Sequence, residues 1–375
     1  MTEVAPARRA GARLQPLFAL VLGLAATAIV TATMFSVTAH AAGARPRGAA
    51  TAARVSSRPG LRPAWSHGAT ATGPKTNSIA ARGSRTHDDG RANFTVEVQG
   101  VESSYRTTPV FVMPGEHLSI RVTGAPAKVQ AVAETGRLHI DEPGVWTWTA
   151  PTTPGAHACI RLTEQKRLDS ICVKAFVLRP YHGEESLDGF RIGHYRRDLH
   201  EDDPAYALPE GFVLVSAEDV DESVSPHFKL GQFLCKQDGT YPKFLVLKTA
   251  LVVKLEMLLE KLARDGVIAD TLHVMSGYRT PFYNAAIGNE TSYSRHSYGD
   301  AADVYVDRDA DGIMDDIDGD GRSSTKDARV LYRLVDSTFD GSGPGRLAGG
   351  LAIYAPNRAH GPFVHVDTRG HRARW

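Results

Sequence analysis

The sequence predicts two folded domains in series: an all-β sandwich of immunoglobulin-like character over residues 93–180, and a domain mixing helix and strand over 225–375. Two patterns carry this reading. Between Phe94 and Leu178, short alternating runs such as FTVEV, HLSIRV and VWTWTAP are punctuated by Pro114, Gly124, Pro143 and Pro154, the spacing of a small antiparallel sandwich. After residue 225, leucines recur at helical spacing, and histidine and aspartate segments lead into β-branched runs.

The chain's 375 residues allow two domains after a leader, and a formal net charge of +1 offers nothing to a polyanion, so nucleic acid is not expected as a partner. Arg8, Arg9 and Arg13 precede an uncharged stretch from Leu17 to Val37 and a small-residue segment around Ala39 and Ala41. Over residues 1–42 this reads as an export signal, cleaved or, since about 20 apolar residues can span a bilayer, kept as an anchor. Either way the remainder is expected in the periplasm or cell envelope, reaching the inner membrane only through such an anchor. Residues 43–92, rich in Ala, Arg, Gly, Ser, Thr and Pro, bury too little apolar surface to fold and are expected as a disordered linker.

Within the sandwich, Trp146 and Trp148 share a strand face and are expected in its core rather than as a ligand platform. Cys159 and Cys172 bracket CIRLTEQKRLDSIC, a hairpin pattern. Pairing symmetric about Gln165 and Lys166 would set them opposite one another within disulfide reach, as suits an oxidising compartment. Cys235 is left as a buried small residue. Residues 181–224 read as a polar connector. In the second domain Leu251, Leu255, Leu258, Leu259 and Leu262 fall on one helical face, and Lys261, Arg264 and Gly266 supply a stop. TLHVMSGYRTPFYNAAI then reads as a strand, a turn and a short helix, with His273 a core histidine of that strand.

The chemistry gathers in SRHSYGDAADVYV, where His296 and Asp303 stand seven residues apart across Gly299, and in HGPFVHVD, which carries His365. Two imidazoles and a carboxylate suit zinc, and three protein donors leave a fourth position open, the pattern of catalytic zinc. Alternation puts Ala301, Asp303 and Tyr305 on one strand face and Phe363, His365 and Asp367 on one face of another, so the donors converge if those strands are neighbours.

SGYRTPFYN, SRHSYGDAADV and FVHVDTRGHRARW, in this order, resemble the three signature segments of the M15 zinc peptidases, the D-alanyl-D-alanine carboxypeptidase and murein endopeptidase group, whose metal-site fold is shared with hedgehog domains. The resemblance covers residues 225–375. It implies an α+β fold with a small antiparallel sheet, zinc on His296, Asp303 and His365, Arg279 at the substrate, and peptidoglycan stem peptides as partners. A guanidinium fork suits a carboxylate beside a scissile bond or a developing oxyanion, although Arg279 could instead pair with a local carboxylate. Many members keep an acid three positions before the last histidine; this chain has Pro362 there. The general base is therefore open between His360, in a proton-shuttle role, and Asp367, which could equally orient a neighbouring donor.

After Val306 comes DRDADGIMDDIDGDGRSSTKD. Asp307, Asp309, Asp311, Ile313, Asp315 and Asp318 match the ligand spacing of a twelve-residue calcium loop, and Asp316, Asp318, Asp320 and Asp327 repeat it in an overlapping register, each with glycine at the sixth place. Calcium is expected there, a solvated acidic loop being the plain alternative. Together these features predict an exported zinc metallopeptidase acting on bonds to D-amino acids in peptidoglycan stems or cross-links. Two other expectations compete: a non-catalytic metal-binding module that holds wall peptides or a protein partner, and a calcium-controlled adhesion protein built on the sandwich.

Overall fold

The computed structural model describes residues 90–123, 129–166, 169–196, 203–289, 291, 293–339 and 345–375. The export signal, nearly all of the linker and the Gly124 turn lie outside them. Among the described residues no helix is long and apolar enough to cross a membrane.

Nine strands form two facing sheets: β1 (Arg91–Val98), β2 (Val101–Tyr105), β3 (Thr107–Val112), β4 (His117–Thr123), β5 (Val129–Ala133), β6 (Arg137–Glu142), β7 (Val145–Thr149), β8 (His157–Glu164) and β9 (Asp169–Val177). The strand orders are β2-β1-β4-β7-β6 and β3-β9-β8-β5. Alternation does the sorting: in β4, Leu118 and Ile120 are buried between exposed His117, Ser119 and Arg121. Trp146 and Trp148 lie in the core between the sheets with Val96, Val112, Ile160 and Val173. The sandwich is not wholly antiparallel, because β3 pairs with β9 in parallel along its length. Cys159 and Cys172 are joined by a disulfide, Cα to Cα 5.5 Å. They stand diagonally rather than opposite, since the ladder pairs Cys159 with Lys174 and Arg161 with Cys172.

Folded structure begins inside the expected linker. Arg91 opens β1, and its guanidinium reaches Glu260 (Nη2 to Oε2 3.0 Å) and the Tyr105 hydroxyl (3.0 Å). The connector also departs from expectation. Its short strands β11 (Ser186–Leu187), β12 (Phe190–Arg191) and β13 (Gly211–Val215) follow β10 (Arg179–Pro180) and precede β14 (Lys243–Leu245), and β13 pairs with both β10 and β14. Leu187, Phe190, Ile192, Phe212 and Val213 are buried in the core of the second domain. Their apolar positions are scattered among polar ones, so no periodicity marked them.

That core surrounds α1 (Thr249–Arg264), whose five leucines are all buried, together with Val252, Lys254, Glu256 and Glu260. After it come β15 (His273–Ser276), α2 (Pro281–Ala286), β16 (Ala301–Tyr305), α3 (Thr325–Thr338), β17 (Gly350–Tyr354), β18 (Phe363–Asp367) and β19 (Ala373–Arg374). The sheet order is β15-β16-β18-β17-β19, antiparallel but for the β17–β19 pair. Val101, Tyr105 and Phe176 of the sandwich extend this second core, so the two folded parts meet on apolar side chains.

Candidate metal centre

β16 and β18 are neighbours, and their register sets Asp303 directly opposite His365. His296 arrives from a single 3-10 turn, Arg295–Tyr298, that ends at Gly299 with φ +71°. A Cβ there would lie 2.4 Å from the Val246 carbonyl oxygen, so only glycine closes the turn. The turn is pinned from below. The Tyr195 hydroxyl donates to the Ser297 carbonyl (2.9 Å) and, its own proton so used, accepts from Tyr278 (3.0 Å). The Arg279 backbone N–H donates to the His296 carbonyl (3.2 Å).

Three donor atoms converge. His296 Nε2 is 3.2 Å from Asp303 Oδ1 and 3.2 Å from His365 Nδ1, and His365 Nδ1 is 2.9 Å from Asp303 Oδ1. Tetrahedral zinc with bonds of about 2.0–2.1 Å separates its donor atoms by about 3.3 Å. The set is buried, with 3%, 2% and 6% of His296, Asp303 and His365 exposed.

Each imidazole is oriented from behind. His296 Nδ1–H donates to the Gly277 carbonyl (2.7 Å), which leaves Nε2 as the lone pair facing the centre. His365 Nε2 is 3.2 Å from Asp367 Oδ2, so a neutral His365 points its Nδ1 lone pair inward. Asp367 is itself fixed by the Gly350 backbone N–H (2.6 Å) and by Arg369 (Nε to Oδ2 2.9 Å). The buried Lys254 of α1 donates to the Asp367 carbonyl (2.9 Å) and holds that end of β18.

The electrostatics follow from this packing. Burial, reinforced by the Arg279 guanidinium, pushes His296 down to about 4, so its ring is neutral at pH 7. Burial opposes the charged form of His365 too, but the hydrogen bonds it donates to Asp303 and Asp367 outweigh it and raise its pKa to about 8. Burial also opposes ionisation of Asp303, yet His296, His365 and Arg279 hold its carboxyl well below the usual range. These residues fit a divalent cation: one anionic oxygen and two imidazoles converge on one buried point, each donor oriented by a further group.

Arg279 meets both readings made of it. Its guanidinium pairs with Asp303 Oδ2 and its Nε donates to Ser276 Oγ (2.7 Å). It does pair with a local carboxylate, and that carboxylate belongs to the centre. Both base candidates already have partners. Asp367 lies behind His365, on the side away from the donors. His360 is engaged within its own loop: Asn357 Nδ2 donates to its Nε2 (2.7 Å), and its Nδ1 donates to the Gly361 carbonyl (2.7 Å). His273 pairs with Asp307 (3.2 Å) and stacks on Tyr305.

The aspartate run forms two groups, Asp307, Asp309 and Asp311, then Asp316, Asp318 and Asp320, each able to turn one carboxylate oxygen per residue toward a common point. The wider registers are not assembled. Asp315 Oδ2 accepts from Arg308 (2.6 Å). Asp318 joins the second group rather than closing the first. The Ile313 backbone N–H donates to Asp311 Oδ1 (2.9 Å), a turn contact that does not involve the carbonyl through which Ile313 would bind a cation. Asp327 caps α3, accepting from the backbone N–H groups of Ile317, Asp318 and Ser324.

Sequence reading missed the Gly277 carbonyl, the Gly350 amide and Lys254 as supports, because backbone groups and a mid-helix lysine leave no motif. It also left Trp375 without a role. A scan against family models matches none, and searches of curated proteins and of solved structures find no match.

Proposed function

We propose that this chain is a zinc-dependent peptidase acting in the cell envelope on peptidoglycan stem peptides or cross-links, at bonds to D-amino acids. The observation that supports it is the convergence of His296 Nε2, Asp303 Oδ1 and His365 Nδ1, with Arg279 against the same carboxylate. The wall substrate rests on the resemblance of the three segments. Zinc, when bound, would polarise a substrate carbonyl and lower the pKa of water toward ~7. The protein's own part is then to hold three donors rigid, keep Asp303 ionised through Arg279, and present the guanidinium where a carboxylate or oxyanion would lie. Calcium at the two aspartate groups is proposed in a supporting role. The test is incubation of purified sacculi with zinc-loaded protein, followed by mass spectrometry of the muropeptides. Products shortened by D-alanine or by an opened cross-link support the reading, and an unchanged profile defeats it.

A second reading is favoured by one observation: Asp367 is turned to the far nitrogen of His365, and both ring nitrogens of His360 are engaged within its own loop. A non-catalytic zinc and calcium module that binds wall peptides or a protein partner needs no base. It would retain sacculi without releasing products.

A further inference from the structure

A cleft of about 580 Å³ opens where the sandwich meets the second domain, and none of the three donor residues lines it. Val101, Phe111 and Leu178 of the sandwich, together with Leu208, Leu245 and Leu247, supply its apolar lining. The start of α1 runs into the same cleft, where Lys248, Thr249 and Ala250 line it. The first N–H groups of a helix have no partner within it and carry the positive end of its dipole, which an N-cap carboxylate or hydroxyl ordinarily answers. α1 has no such group. Lys248 stands at the N-cap position and makes no capping bond, and the first turn holds no acidic residue. Thr249 spends its hydroxyl on the Pro109 carbonyl (2.9 Å).

More positive charge stands beside it. Arg346 packs on Gly100, where a Cβ would lie 2.4 Å from its Nε, and neighbouring Gln99 Oε1 accepts from Thr249 Oγ1 (3.0 Å), so the guanidinium lies next to the helix start. Of the cations in the lining, Arg295 is paired with Asp300 and Arg369 with Asp367, which leaves Lys248 and Arg346 as free charges among the described residues. On the acidic side, Glu116 already accepts the Met113 backbone N–H (2.6 Å), and Glu210 adjoins Gly211, which packs on Met113. A separate observation points to a ligand. Tyr298 lines the cleft, is 3% exposed, and its buried hydroxyl has no hydrogen-bond partner among the described residues. The Lys248 N–H donates to the Gly299 carbonyl (3.0 Å), which brings this tyrosine to the start of α1. Its ring is held between Tyr195 and Tyr206 (centroids 5.6 and 5.4 Å), so the hydroxyl is fixed before any acceptor arrives.

We propose that the start of α1 binds the phosphate group of an organic phosphate whose apolar body lies along the cleft. Helix amides, Lys248, Arg346 and the Tyr298 hydroxyl offer more donors than a planar carboxylate can use, which suits a tetrahedral oxyanion. The volume is that of a site for a small organic molecule rather than for an ion alone. Because the walls come from both folded parts, an occupant braces one against the other. A soluble phosphate ester and a lipid headgroup share this chemistry, and the site is independent of the peptidase reading.

The test uses the full chain, zinc-loaded and again after stripping with a chelator, so that phosphate held by a metal shows itself by being lost. The probes are hexyl phosphate, inorganic phosphate, hexanoate and hexanol. Calorimetry and melting are run on wild type, Tyr298→Phe, the double variant Lys248→Gln with Arg346→Gln, and Lys261→Gln, a charge control in the last turn of α1. Hexyl phosphate is expected to bind both preparations about tenfold more tightly than each other probe and to raise the melting temperature. The double variant should lose about tenfold in that affinity, and Lys261→Gln nothing. Tyr298→Phe should lose about fivefold while its ligand-free form melts no lower than wild type, because a hydroxyl without a partner stabilises nothing until a ligand accepts from it. Hexyl phosphate held no better than hexanol, binding lost on stripping, or wild-type affinity in Tyr298→Phe or the double variant overturns the proposal. Cosedimentation with phosphatidylcholine vesicles, with and without phosphatidylglycerol, separates the sources. Binding that needs phosphatidylglycerol and is lost in the double variant upholds the site for a lipid headgroup; no vesicle binding beside tight hexyl phosphate binding upholds it for a soluble ester.

Discussion

At His365 two carboxylates act on one imidazole: Asp303 faces Nδ1 at 2.9 Å and Asp367 faces Nε2 at 3.2 Å. Although burial opposes the charge, this raises the pKa to about 8, so the metal-free centre carries a proton at pH 7 that a cation must displace. In metal-free protein the protonated ring contributes stability below its ordinary pKa of about 6.5, lost as pH rises through about 8. Metal affinity runs the opposite way. It should fall about tenfold for each pH unit below about 8 and level off above it, with His296 adding a second proton only near pH 4. Competition titrations with a zinc chelator at pH 6, 7 and 8 measure this; a flat affinity would remove His365 from the ligand set. Asp367→Asn is expected to weaken zinc by about 10–100-fold, because it loosens the imidazole from behind, while His360→Ala leaves zinc unchanged. Equal zinc affinity in wild type and Asp367→Asn would contradict the orienting role.

At the scale of elements, the register of β16 against β18 and the turn at Gly299 build the site. Gly299→Ala places a side chain at φ +71° against the Val246 carbonyl, and a cost of about 1–3 kcal/mol is expected together with weakened zinc binding. A melt and a zinc titration check it, and an alanine variant equal to wild type in both would show that the turn is not constrained. The aspartate loops begin two residues after β16 ends, and Tyr305 donates to the Gly312 carbonyl (2.9 Å), tying strand to loop. Calcium is therefore expected to raise the melting temperature and protect residues 307–327 from proteolysis, an effect abolished in Asp311→Ala with Asp318→Ala. Identical melts and digests with calcium or chelator would leave a plain acidic loop. The donors themselves were legible in the sequence because His296, Asp303 and His365 sit in short segments with strand alternation. The roles of Asp367 and His360 were not, since which side of an imidazole a carboxylate occupies depends on register and rotamer. Asp315 and Asp327 matched calcium spacing but took nearer partners, Arg308 and the start of α3.

Across the whole molecule, the sandwich and the part that carries the candidate metal centre share apolar and polar contacts. Val101, Tyr105 and Phe176 join the second core, Arg91 reaches Glu260, and Thr249 donates to the Pro109 carbonyl (2.9 Å). The alternating pattern identified the sandwich, but nothing periodic revealed this junction or the burial of the connector. A chain cut at residue 181 should therefore expose α1, melt several degrees lower and tend to aggregate. An unchanged melt would make the sandwich an independent appendage. The most direct test of the metal centre is anomalous diffraction at the zinc edge from crystals of the zinc-loaded full chain. One peak within about 2.0–2.2 Å of His296 Nε2, His365 Nδ1 and an Asp303 oxygen is expected. Zinc found only at the aspartate loops, or no ordered peak at these three residues, would contradict it.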